Sequence, residues 1–147
     1  MDQTTTNPFR KAFRGRFISV LRWEQLDDFW DVLSQDTGEG WYIYAIGEPP
    51  PTQPASGEML KAFLLEIDQL LRKEHDEEYC GVVYTDSLEI PQFVKIFDPN
   101  NLGVSCGFSD NPPLPGWILS RLRPVDLQSD VPLPGNRRRW WRRLIGA

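Results

Sequence analysis

Apolar positions along the chain follow two periods. From Trp23 to Gln35 they recur at Trp23, Leu26, Trp30 and Leu33, the spacing of one helix face, and the polar side carries Glu24, Asp27, Asp28 and Asp31 near the start, where carboxylates favour the helix dipole. From 58 to 77, Leu60, Phe63, Leu64, Ile67, Leu70 and Leu71 repeat the spacing and predict the longest helix. Asn7-Pro8 reads as a capped helix start, with Phe9 and Phe13 one turn apart and Gly15 ending a short arm. Strand signals alternate with these helices. FISVL (17–21) is a first strand; WYIYAI (41–46) is apolar throughout, as expected of a central strand buried on both faces. CGVVYTD (80–86) is a third. PQFVKIFD (91–98) and GVSCGFS (103–109) are a fourth and fifth, joined by a turn whose Asn and Gly suit positive φ. GWILSRL (116–122) fits either a final short helix or a strand.

The order β-α-β-α-β-β-β predicts an α/β or α+β fold: a single mixed sheet of about five strands flanked by helices. The strand-helix-strand steps predict parallel neighbours by right-handed crossover, and the late hairpin adds antiparallel ones. With Ile90-Pro91 immediately before FVKIF, this order resembles the thioredoxin fold, whose late hairpin is entered from a proline. The resemblance covers the element order and a few residues. It implies a redox cysteine pair where the second strand meets the second helix, but that place reads GEPPPTQPASG (47–57) without a cysteine, so no dithiol chemistry follows. The further helix usual in that fold before the proline is also missing, since only Ser87 to Ile90 stand between the third strand and Pro91.

At 147 residues one domain is expected, and 40% apolar with 12% aromatic residues is too much for a disordered chain. The boundaries read as a basic arm at 1–16, a folded body at 17–123, a proline-containing linker at 124–135 and a basic aromatic tail at 136–147. Charge sharpens this division. The arm holds four basic residues against one acidic, +3; the tail holds five arginines and no acid, +5; the rest holds seven basic against twenty acidic, −13, which together give the net −5. No apolar run approaches a membrane span, and the N-terminus lacks the apolar centre of a secretory signal, so a cytoplasmic location is expected, at the membrane periphery if the tail meets a bilayer. Cys80 and Cys106 form no CxxC unit and are expected as buried thiols in a reducing compartment.

Chemistry is sparsely signalled. There is no GxxxxGK[ST] and no GxGxxG, hence no cradle for nucleotide phosphates. His75, the only histidine, lies in RKEHDEEYC, which reads better as the charged end of a long helix than as a metal site or part of a catalytic triad. Asp27, Asp28 and Asp31 read as a solvated helix face, and PPLPGW and VPLPG as chain reversals and spacers. No cofactor, metal or catalytic residue is assigned, and an enzyme is the less favoured class.

The tail carries the functional reading. On a helical wheel Trp140, Trp141, Leu144 and Ile145 share one arc, and Arg138, Arg139, Arg142 and Arg143 fall on the other side. About ten residues are too few for a stable isolated helix, so ordering is expected only against a surface. An acidic groove on a larger protein complex is the leading partner, because tryptophan and arginine are favoured anchor residues. An anionic membrane surface is the second. Nucleic acid is the third, disfavoured because the acidic body repels a phosphate backbone. The alternative to all three is that the tail folds back on its own body. The expectation is a non-enzymatic cytoplasmic adaptor or assembly factor, anchored by Trp140, Trp141, Leu144 and Ile145, with Arg137, Arg138, Arg139, Arg142 and Arg143 pairing charge. Phe9, Arg10, Lys11, Phe13 and Arg14 would make a second, weaker contact. The competing class is a small enzyme or ligand-binding domain with a pocket between the Pro-rich loop after Ile46 and Pro91, lined by Tyr42, Tyr44, Cys80 and Cys106.

Overall fold

Nine elements succeed one another in the computed structural model, which describes residues 7–35, 40–99, 114–127 and 135–145. They are α1 (Pro8–Phe13), β1 (Ile18–Val20), α2 (Trp23–Gln35), β2 (Tyr42–Ala45), α3 (Gly57–Glu74), β3 (Val83–Thr85), β4 (Phe93–Ile96), β5 (Trp117–Ser120) and α4 (Gly135–Ile145). Local chemistry sets the helix starts. Asn7 Oδ1 accepts the Arg10 N–H at 3.0 Å ahead of Pro8, and Ser56 Oγ accepts the Met59 N–H at 3.1 Å. Gln25 Oε1 reaches back to the Arg22 N–H at 3.0 Å, the returning half of a capping box.

The β-α-β-α-β-β-β order and the single five-stranded sheet are present, and the strands lie in the order β1-β3-β4-β5-β2. Pairing departs from the parallel neighbours expected of the crossovers, because all four described pairings are antiparallel. The reason is how far each connection travels. The β1-α2-β2 step runs from one edge of the sheet to the other, so β1 and β2 point the same way without touching, and α3 carries the chain back to β3 beside β1. Adjacent strands therefore never belong to one crossover unit.

Two further expectations change. WYIYAI supplies the edge strand β2, while β4 holds the centre. Its apolar run is still explained: Ile43 and Ala45 enter one core cluster and Tyr44 and Ile46 the other, and the Pro-rich loop returns beside the strand, where the Ala55 N–H donates to the Trp41 carbonyl at 2.8 Å. Burial on both faces does not require a central place. The undecided segment 116–122 is strand β5, between β4 and β2; the expected strand 103–109 and its turn lie outside the described residues.

Side-chain alternation divides the core between the two faces. Leu26, Phe29, Leu33, Phe63, Ile67 and Leu71 of α2 and α3 pack on one face against Val83, Val94, Ile96, Trp117 and Leu119. On the other, Phe9 of α1 joins Tyr44, Phe93 and Ile118, with Phe13, Phe17, Val125 and Leu127 around them. The Lys95 ammonium sits 4.1 Å from the centres of both the Phe13 and Phe17 rings, and burial pulls its pKa below the ordinary lysine value. Among the described residues no helix is long and apolar enough to cross a membrane.

Candidate partner-docking site

The tail is helical, and the surface that orders it is the body's own. A row at i, i+4 and i+7 turns inward: Arg137, Trp141 and Leu144, with Trp140 beside them. Trp141 is buried in the main core edge-on to Phe63, ring centres 6.2 Å apart, and the half-buried Trp140 packs 5.7 Å from Trp117 and 6.5 Å from Phe63. Leu144 is half-buried against the same cluster.

Arg137 is the polar centre of the seat. It is only 4% exposed, and its fork meets two carboxylates: Nε and Nη2 donate to Asp98 Oδ2 and Oδ1 at 2.9 and 3.1 Å, and Nη1 and Nη2 to Glu74 Oε2 and Oε1 at 3.0 and 2.6 Å. Those bonds, with Asp98 first, lift its pKa further above the ordinary arginine value, so the guanidinium stays charged. Position 137 lies three and four residues before the two tryptophans, and that spacing was the available signal that one arginine belongs to the inner face. Glu74, Asp98, Phe63 and Trp117 complete the seat; helical spacing picks out Phe63 only as a core position, and the other three were not singled out from the sequence. They come from α3, the segment after β4, and β5, far apart in the chain.

The outer side of α4 is a row of exposed arginines: Arg139, Arg142 and Arg143. Arg142 lies 3.7 Å from the mostly covered Glu48 and Arg143 4.0 Å from Glu66, long contacts in which both arginine side chains stay exposed and which contribute little. Arg138 and Ile145 belong to the helix, but their side chains lie outside the described set.

The N-terminal arm docks on the opposite face. Phe9 is buried against Phe93 and Tyr44, at 5.3 and 6.3 Å between ring centres, and Phe13 meets Phe93 edge-on. Arg10 Nη2 donates to the Asp126 carbonyl at 2.9 Å, whereas Lys11 and Arg14 are exposed. The two basic segments therefore stand on opposite sides of the sheet.

The parts of the alternative pocket are spread along the sheet: register places Ile46 beyond the Ala45–Trp117–Ile96 row and Pro91 beyond the Tyr42–Ser120–Phe93 row at the other end, while the Pro-rich loop runs from the first end back to Trp41 at the second. Tyr44 and Cys80 also belong to clusters on opposite faces, and Cys106 lies outside the described residues. His75 stands between Trp23 and Tyr79, at 6.2 and 6.0 Å between ring centres, beside an open crevice of about 430 Å³ lined by Asp76, Glu77, Glu78 and Tyr79. Among the described residues no group of three His, Cys, Asp or Glu side chains is arranged to hold a metal. No protein-family model matches the chain, and neither a curated protein nor a solved structure matches it.

Proposed function

We propose that this chain is a non-enzymatic, cytoplasmic adaptor or assembly protein that docks on a larger protein complex by laying the arginine face of α4 in an acidic groove. The observation that supports this reading is the division of labour within α4. Arg137, Trp141 and Leu144 fix the helix to the body, and Arg139, Arg142 and Arg143 point outward with only loose pairing. A helix held in advance loses less conformational freedom on binding than a disordered tail, and arginine suits a carboxylate-lined groove. The geometry weighs against a bilayer. The two tryptophans that would enter it are engaged in the seat, and the basic arm faces the other way. The acidic body still disfavours nucleic acid.

Removing the tail is a poor test, because it also strips Trp141 from the core. The better experiment is affinity purification of the full chain beside an Arg139→Glu/Arg142→Glu/Arg143→Glu chain, at low and high salt. A companion complex retained by the first, released by salt and lost from the second, with the urea midpoint little changed, is the expected result. Recovery of the same companions by both chains overturns the reading.

A further inference from the structure

The two edges of the sheet are finished differently. Beside β2 the Pro-rich loop returns along the edge through the Ala55–Trp41 bond. Beside β1, no described residue forms a strand on the outer side. Natural sheets blunt such edges because unpaired backbone groups invite another strand.

Exposed apolar side chains stand at both ends of this edge. Of the seven large ones exposed among the described residues, Ile18 lies on β1, Leu21 directly after it, and Tyr79, Leu88 and Ile90 on the segments flanking its partner β3. The Cys80 N–H donates to the Leu21 carbonyl, which brings Tyr79 to one end; Ile18 pairs with Thr85, which brings the loop after β3 to the other. That loop is held in shape by its own side chains. Asp86 Oδ1 accepts the N–H groups of Gln92 and Phe93 at 3.0 and 3.1 Å, and Ser87 Oγ those of Glu89 and Ile90 at 3.3 and 3.0 Å. The fastened backbone leaves Ile90 72% exposed. Exposed apolar groups at both ends of an unpaired edge, one set on a fastened loop, suit that edge to contact with another chain.

Charge selects the occupant. Arg16 and Arg22, both exposed, stand three residues to either side of Ser19. A second copy pairing antiparallel through β1 about Ser19 would set Arg16 of each chain opposite Arg22 of the other, a like-charge arrangement that disfavours self-pairing. We infer that the outer edge of β1 accepts an extended segment of a different protein as a sixth strand, with apolar residues at its centre and an acidic residue near each end. Backbone hydrogen bonds supply the general affinity, and Arg16 and Arg22 the selection.

The test uses the full chain, isotope-labelled, and two synthetic peptides: Asp-Val-Thr-Val-Thr-Val-Asp and its counterpart with Lys at both ends. The acidic-ended peptide should shift the amides of residues 18–21 and 83–90 and bind about tenfold more tightly than the other, as two added charge pairs allow. An Arg16→Glu/Arg22→Glu chain should reverse the preference, Ile18→Lys should weaken both peptides, and reversal of the α4 arginines should change neither. Equal affinity for the two peptides, shifts confined elsewhere, or no shift at millimolar peptide overturns the inference. So does a dimer in sedimentation that Ile18→Lys dissociates, because the edge would then belong to a second copy.

Discussion

Arg137 and Asp98 meet in a two-bond fork, Nε to Oδ2 at 2.9 Å and Nη2 to Oδ1 at 3.1 Å, which ties the last helix to the segment after β4. Both residues are buried, so the ion pair has been taken out of water and its worth depends on geometry that a shorter side chain cannot reproduce. Replacing Arg137 by Ala should lower stability by about 3–5 kcal/mol in urea denaturation, the range seen when one partner of a buried pair is removed. Arg137→Lys should recover only part of that, because an ammonium does not offer the planar fork that spans Asp98 and Glu74. Equal losses for the two variants would mean that charge alone holds the helix.

The two sides of α4 should respond differently to truncation. Trp141 is buried against Phe63, so Trp141→Ala should cost about 3–5 kcal/mol, as large aromatic deletions from cores do. Arg139 is exposed, and Arg139→Ala should stay within about 0.5 kcal/mol of the parent. Matched small effects at both positions would show that α4 is not seated in solution.

One carboxylate oxygen ties the far end of the loop after β3 back to its start. Asp86 Oδ1 accepts two backbone N–H groups that open β4, so Asp86→Ala should destabilise the chain by about 2 kcal/mol and speed hydrogen exchange at Gln92 and Phe93. Asp86→Asn, which keeps an acceptor, should lose less. Unchanged exchange at Gln92 and Phe93 in the alanine variant would show that the loop is held by other means.

Much of this architecture is written in local pattern. The spacing of Leu60, Phe63, Leu64, Ile67, Leu70 and Leu71 specifies α3 because all six turn to one face, and Asn7-Pro8 specifies the start of α1 through a cap completed three residues on. Pairing was not legible in the same way. A short crossover to a neighbour and a long one to the far edge look identical in sequence, so β-α-β predicted parallel neighbours and yielded none among the described pairings. WYIYAI reports burial on both faces, but the shield at its edge is a proline loop that periodicity does not see. The tail shows the same limit. Its wheel sets the two tryptophans apart from the exposed Arg139, Arg142 and Arg143, yet Arg137 sits inside because Glu74 and Asp98, 63 and 39 residues away in sequence, converge there.

Cys80 gives the stability curve a predictable slope in mild alkali. The thiol is fully buried, and burial raises its pKa above the ordinary value. In the unfolded chain the thiolate forms near the usual pH of about 8.5, while in the folded chain the proton is retained. The unfolded state then binds fewer protons, so stability is intact below about pH 8.5 and falls as pH rises towards the raised folded value, by at most about 1.4 kcal/mol per pH unit. Tyr44, also raised chiefly by burial, adds a loss of the same sign closer to pH 10, and Lys95, lowered by burial, opposes both below the ordinary lysine value of about 10.4. Between pH 8 and 9.5 the thiol's own share is therefore read by comparing chains with and without it. Urea midpoints measured there on a Cys106→Ser parent should decline with pH, and adding Cys80→Ala should flatten the decline even though it lowers stability at every pH. An equal slope in the two chains would mean that Cys80 reaches solvent and ionises in the folded state.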